Sequence, residues 1–350
     1  MFKNRVLLVT EFINPPYDEG IKKTVFQLFD ILNNHYQVKV ICRYGSDNYT
    51  NIVQVKTNKI FLSLRVNKEI KSFNPDVIIY FPFASSTFAG FIRHSVLSSY
   101  KRSARSVLLA MQPKPLKWWQ KLIIQLIKPS IVLTSSPLLQ SMLDNMKVKN
   151  RLLPLFTDLS KFYPIADKAV KRKLRIKYGI KNEAFVVSHM GHLNEGRNLR
   201  SLTKLQNEGC QIVVVASSST PIDSKGPNSI KQELEESGII IIDRYIENIQ
   251  EIYQLSDCYI FPVIEPNSSI GLPLSILEAR ACGIPVITTD YGSVKQYLDN
   301  DFGSIFYSTP EAFVDTICLV KKSDLQSFQQ TKVNGLNEIF IKSINNIIES

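Results

Sequence analysis

EPNSSIGLPLSILEARACGIPVITTDYGS, residues 265–293, is the stretch on which the fold of this chain turns. Ser268–Pro273 reads as a loop and Leu274–Ala281 as a helix. Gly283 ends that helix, and Ile284–Thr289 is a short apolar strand. Loop, helix and buried strand in that order are one unit of a parallel α/β sheet. The helix start is expected to present free backbone N–H groups at Leu274, Ser275 and Ile276, which with the helix dipole form an anion site. Glu278 lies one turn further in. A carboxylate there accepts two hydroxyl hydrogen bonds, as from a ribose; the alternative is a solvated helix residue, although Leu277, Ala279, Ala281 and Cys282 around it are apolar.

The same rhythm extends outward. AFVVSHMG (184–191), CQIVVVASSS (210–219), GIIIID (238–243) and DCYIFPV (257–263) are strands with helical segments between them. Before them, RLLPLFTDLSKFYPI (151–165) breaks the pattern with prolines at 154 and 164. RVLLVT (5–10), VKVICR (38–43), PDVIIYF (75–81), SVLLAM (106–111) and SIVLTSS (130–136) form an earlier set, with a periodic segment at 25–32. The expected fold class is α/β, with two Rossmann-like doubly wound domains facing an interdomain cleft. The domains are placed at 1–160 and 161–335, with a final helix, 336–350, crossing back to the first. Ligands of such sheets bind beyond the carboxyl ends of the strands, and the deepest crevice is expected where the two domains face each other.

At 350 residues, with 44% hydrophobic and 21% charged, the composition is globular and excludes a disordered or collagen-like chain. Five scattered cysteines make neither a disulfide framework nor a zinc site, which fits a reducing compartment. The apolar run at 6–9 is too short for a signal-peptide core, and no run reaches the roughly 20 residues of a membrane span. Charge is uneven: residues 1–165 carry 23 Lys and Arg against 9 Asp and Glu, whereas 166–350 carry 19 against 22. The basic first half attracts anions such as phospholipid headgroups or phosphorylated substrates, or is simply a solvated face. Lys114–Lys128 interleaves lysines with Trp118, Trp119, Leu122, Ile123, Leu126 and Ile127, in the manner of an interfacial helix or of an ordinary domain helix. No nucleic-acid recognition motif accompanies the basic half.

GLPLSILEARACGIPVITTDYGS resembles the signature of retaining glycosyltransferases of the GT-B fold, in the large fourth sequence family. LPLFTDLSKFYPI looks like that family's interdomain segment, and VVSHMGHLNEGRNLRSL resembles its glycine turn. DRYIENIQEIYQLSDCYIFPV looks like the nucleotide-base loop, helix and strand. The resemblance implies a hexosyltransferase-like enzyme of glycan biosynthesis. Its nucleotide-sugar donor, UDP- or GDP-linked, is a substrate, so no cofactor is implied. The acceptor is lipid-linked or a glycan. With the basic first half, a cytoplasmic protein on the anionic inner face of the cell membrane is expected.

The family's site residues carry over position by position. Glu278 is implied to hold the ribose, and Gly271, Leu274 and Ser275 to lie along the diphosphate. Arg197 and His192 follow Gly191 where the family has basic residues; Arg197 offers a forked donor to phosphate, and its alternative is a salt bridge with Glu195. Tyr245 and Ile246 match the base-contact loop, or are core. Gly20 is what remains of the family's glycine-rich loop after the first strand; Lys22 and Lys23 beside it meet an anionic substrate or start a solvated helix.

Two positions depart from the pattern. The first signature glutamate falls at Ile270, for which Glu265 is the candidate substitute. A histidine common after the strand at 106–111 is absent, and Met111 and Gln112 stand there, with Gln112 able to donate to a sugar oxygen. Arg197, Gln112 and Glu265 are therefore the candidate catalytic residues. Asp299-Asn300-Asp301 matches a metal-binding string but reads as a surface turn, so catalysis is expected to need no metal. The alternative reading is a catalytically silent GT-B subunit that binds nucleotide sugar or a partner enzyme.

Overall fold

A computed structural model describes residues 4–45, 49–217, 227–265, 268–298, 305–322 and 331–349. The chain forms two units, one of residues up to 156 together with the chain from 338 onward, the other of residues 157–337. The Asp299–Asp301 string lies outside the described residues.

The first unit holds seven strands: β1 (Arg5–Phe12), β2 (Gln37–Tyr44), β3 (Ile52–Gln54), β4 (Val77–Phe81), β5 (Arg105–Leu109), β6 (Ile131–Thr134) and β7 (Asn150–Leu152). They lie in the order β3-β2-β1-β4-β5-β6-β7, all parallel. Every residue of β4 is buried, because helices cover both faces of a central parallel strand. The core between sheet and helices gathers Leu7, Val9, Ile78, Leu108 and Val132 with Phe91 and Leu97. Strand order reverses between β1 and β4, which opens a crevice at their carboxyl ends.

The second unit holds β8 (Phe185–Gly191), β9 (Cys210–Ala216), β10 (Ile240–Ile242), β11 (Cys258–Phe261), β12 (Val286–Thr288) and β13 (Ile305–Tyr307). Their order is β10-β9-β8-β11-β12-β13, again parallel, with the reversal between β8 and β11. Val187, Ile212, Val214, Ile260 and Ile287 build its core against Leu202 and Leu234.

Sequence patterning misses β3, β7 and β13. Each has three residues at a sheet edge and is only partly buried, so none carries an unbroken apolar run. The last helix, Thr331–Glu349, begins in the second unit and ends in the first. Asn337 on it exchanges two hydrogen bonds with the Thr157 backbone, of 2.9 and 2.7 Å. Near its end, Asn4 and Arg105 donate to the carbonyls of Ile348 and Ile347.

Candidate active site

In the second unit, β8 runs into Gly191 at the reversal point, and a 3-10 turn, Glu195–Arg197, folds the chain back toward it. The Arg197 side chain enters the space that glycine leaves open. A Cβ on Gly191 would lie 2.6 Å from Arg197 Nη1, so any other residue expels the guanidinium. Arg197 is only 7% exposed, and its guanidinium lies over the Phe261 ring at the end of β11, 5.7 Å from the centroid. It thus spans the gap between β8 and β11. Glu195, the salt-bridge alternative for Arg197, pairs with Arg200 on the exposed side of the turn. Asn198, in the left-handed region at φ 54°, fixes the turn by donating to the Pro262 carbonyl.

Opposite the turn, residues 268–273 lead into the helix Leu274–Ala281. Gly196 packs so closely on this segment that a Cβ there would meet Ser268 Oγ at 2.0 Å and Glu265 Cβ at 3.4 Å. Exposed Glu265 is therefore beside the arginine turn. The loop is anchored from below. Ser293 N and Oγ both donate to the Gly271 carbonyl, and Tyr291 donates to the Ser269 carbonyl. Gly292, at φ 59°, meets the Gly271 carbonyl so closely that a Cβ would lie 2.1 Å from it.

Pro273 precedes the helix and offers no capping side chain. Of the three amides expected to be free, Ile276 is not. Its N–H donates to the Pro273 carbonyl at 3.2 Å, because the first turn tightens to 3-10 geometry. Leu274 and Ser275 are left as the candidate amides of the helix start. Tyr259 on β11 links the two sides. Burial pushes its phenol up, while Ser275 on the helix and the charge of Arg197 pull the other way.

Glu278 is not a solvated helix residue. It is 2% exposed, and the buried Tyr253 hydroxyl donates to its Oε2 at 2.8 Å. Ile270 is buried and apolar at the position of the missing signature glutamate. His192 is half-buried beside the Gly191 turn. Tyr245 is 46% exposed, which removes the core alternative for it, and Ile246 is half-buried after β10.

Gln112 and Gly20 belong to the first unit. The Gln112 backbone is clamped at the end of β5: its N–H donates to Ser85 Oγ, and its carbonyl accepts from the Ser85 and Ser86 hydroxyls. Gly20 opens the helix Gly20–His35, whose first turn is already capped by the Glu19 carboxylate on Lys22 N. Lys22 is buried there and does not start a solvated face.

Sequence reasoning passed over three groups. Tyr253 carries no local signal for its bond to Glu278. His189 stands with Ser188 inside the buried run of β8, a visible oddity. Glu11 lies next to last in β1, buried, at the reversal point of the first sheet. It accepts from Tyr80 Oη (2.7 Å), Phe83 N (2.9 Å) and Arg93 Nη1 (3.0 Å), and so ties the segment after β4 to β1. An acid closing an apolar strand was the available signal. Among the described residues, no cluster of His, Cys, Asp and Glu has the arrangement of a metal site, and no helix is long and apolar enough to cross a membrane.

Residues 188–322, which run from within β8 past β13, match the family described as glycosyl transferases group 1. The chain is 25% identical over 158 residues to the putative glycosyltransferase EpsF of Bacillus subtilis, covering 44% of this chain and 39% of that protein. It is 24% identical over 155 residues to the alpha-galactosylglucosyldiacylglycerol synthase of Streptococcus pneumoniae, covering 43% and 40%. These matches span about two fifths of the length of both relatives. The fold matches Anabaena Alr3699/HepE, solved in complex with UDP and glucose, with a TM-score of 0.76 at 15% identity over 98% of this chain and 99% of that one. The architecture is that of GT-B structures, and the matched part of the second unit is similar to group 1 glycosyl transferases.

Proposed function

We propose that the chain is a retaining glycosyltransferase that transfers a sugar from a UDP- or GDP-linked donor to a lipid-linked or glycan acceptor, without a metal. The observation that carries this reading is the buried Arg197 guanidinium against Gly191 at the carboxyl end of β8, in the unit that also holds the helix start at Leu274 and Ser275. Cleaving the bond between the sugar C1 and the phosphate oxygen leaves negative charge on the departing diphosphate. Fixed donors in a site shielded from water stabilise that charge as it develops. Glu278, held by Tyr253, suits the ribose hydroxyls. On the retaining course the acceptor oxygen bonds C1 on the face that the diphosphate leaves, and its proton passes to the leaving phosphate oxygen. No protein base is needed, which accommodates Gln112 in place of a histidine. The complex of HepE with UDP and glucose supports the donor class.

Purified protein is expected to hydrolyse its preferred nucleotide sugar slowly without acceptor, at a rate unchanged by a chelator. Loss of the activity with the chelator and its return with a divalent ion would overturn metal independence. The buried, apolar Ile270 favours a second reading, a silent subunit that only binds nucleotide sugar. Donor binding with no turnover at all would select it.

The acceptor side rests on the helix Trp118–Leu126 of the first unit. Trp118, Leu122 and Leu126 recur at one-turn spacing and are 75%, 54% and 86% exposed, and Ile124 is the helix's buried residue. Exposed Lys117, Lys121 and Lys128 flank them. An apolar ridge bordered by ammonium groups suits an anionic leaflet, which supports a peripheral position on the inner face of the cell membrane. The glycolipid named in the Streptococcus pneumoniae relative supports a lipid-linked acceptor. The protein is expected to float with phosphatidylglycerol vesicles and not with phosphatidylcholine vesicles, and Leu122→Glu to abolish flotation. Absence from both vesicle types would end the membrane proposal.

A further inference from the structure

Three aromatic rings meet at the carboxyl ends of adjacent strands in the first unit. Phe12 closes β1 and is paired with Tyr44, which closes β2. Thr10 on β1 pairs with Phe81, the last residue of β4, so two residues further along Phe83 comes level with Phe12. The Phe12 and Tyr44 rings stack at 4.9 Å with an interplanar angle of 9°, and Phe83 leans on Phe12 at 5.0 Å and 60°. The cluster thus spans the reversal between β1 and β4, where ligands of such sheets bind. It is not core, because Tyr44 is 49% and Phe83 36% exposed. The Phe83 segment is pinned. The buried Glu11 carboxylate accepts from Phe83 N, and Tyr80 and Arg93 fix that carboxylate in turn. Beyond Phe83, Ser85, in the left-handed region at φ 59°, bonds its hydroxyl to the Gln112 backbone. Two polar groups border the rings. The Arg43 guanidinium lies 6.0 Å from the Tyr44 centroid and pairs with no acid among the described residues, and the Tyr44 hydroxyl has no hydrogen-bond partner among them.

We infer that Phe12, Tyr44 and Phe83 form a stacking platform for a pyranose ring of the acceptor, with Arg43 and the Tyr44 hydroxyl at its border to hydrogen-bond the sugar hydroxyls. The inference rests on the reading of the chain as a glycosyltransferase, and it makes a sugar, not a lipid chain, the part of the acceptor recognised here. A pyranose carries C–H groups on its faces and hydroxyls around its edge. Its C–H hydrogens are slightly positive and meet the negative face of an aromatic ring, while its hydroxyls need donors and acceptors at the side. Rings with a polar border supply both. An acyl chain on the same platform would leave the guanidinium and the phenol against hydrocarbon without partners, which is costly. The pinned backbone of Phe83 holds the platform in shape before the sugar arrives, so binding loses little entropy to ordering it.

The test is saturation-transfer NMR on the full chain, with the methyl glycosides of glucose, galactose, mannose and N-acetylglucosamine as probes. At least one is expected to receive saturation chiefly on the ring protons of one face. Tyr44→Ala and Phe83→Ala are each expected to raise its dissociation constant about tenfold. Tyr44→Phe, which keeps the ring and removes the hydroxyl, is expected to raise it only about threefold. Binding of UDP or GDP, followed by titration calorimetry, is expected to be the same in all three variants, which also reports that they fold. Should an alanine variant lose the nucleotide as well, Tyr44→Leu or Phe83→Leu, which fills the space without a ring, takes its place. The inference is overturned, with the donor reading left standing, by any of three results: no glycoside saturated in wild type, ringless variants that bind it as tightly as wild type, or uridine binding that Tyr44→Ala removes, the mark of a nucleobase site. Wild type that binds neither UDP nor GDP overturns the transferase reading first, and the acceptor platform with it.

Discussion

Arg197→Ala is expected to lower kcat/KM about a hundred- to a thousandfold, or about 3 kcal/mol of transition-state stabilisation, the range found when one fixed donor to a developing anion is removed. The size follows from where the guanidinium sits. At 7% exposure, water screens it little, and the Gly191 turn and the Phe261 ring hold it in place before any ligand arrives. The charge it meets grows as the sugar–phosphate bond breaks, so the loss belongs mainly in kcat. Arg197→Lys is expected to recover only part of the rate, since an ammonium lacks the fork. Donor hydrolysis or transfer, measured for the three proteins, checks this. Turnover of Arg197→Ala within about threefold of wild type would take the residue out of the mechanism.

Acidification from about pH 6.5 to about pH 4 is expected to destabilise both units, by about 1.4 kcal/mol per pH unit for each of two histidines. His94 on the helix Phe88–Ser99 of the first unit is 1% exposed, and burial pushes its pKa down to about 4. His189 in the second unit is pushed down to about 3 by burial and then by Arg197. Both are neutral when folded and take up a proton near pH 6.5 when unfolded. Above that pH neither state binds the proton and their contribution is complete. As pH falls through the window the unfolded chain binds more protons, so stability declines, levelling off only below the folded values. Urea unfolding across the window checks the slope. His94→Phe is expected to flatten it for the first unit and His189→Phe for the second. Stability independent of pH over this range would mean that the imidazoles are already charged or reached by water.

The fold was legible because parallel strands covered on both faces are continuous apolar runs. PDVIIYF and CQIVVVA needed no partner to be recognised, and the helix 274–281 has the bounds its glycine and proline neighbours imply. The edge strands β3, β7 and β13 were illegible for the converse reason: what makes them strands is a neighbour's backbone, not their own side chains. Within the site, residues near each other in sequence were readable. Gly191, Arg197, the helix start and Glu278 all lie in local motifs. Contacts across the fold were not. Nothing near Glu278 announces Tyr253, 25 residues away, nothing near β1 announces that Arg93 will meet Glu11, and the Ile276 amide is consumed by a tightened turn.

The sequence by itself determined two doubly wound α/β units and a helix start suited to anions, because burial periodicity and turn chemistry are local properties of the chain. Tertiary structure alone decided that Arg197 packs against Gly191 and the Phe261 ring and that Glu278 is buried on Tyr253. Those outcomes depend on which strands become neighbours at the β8–β11 reversal and how little room a glycine takes there, and only packing in three dimensions sets that space.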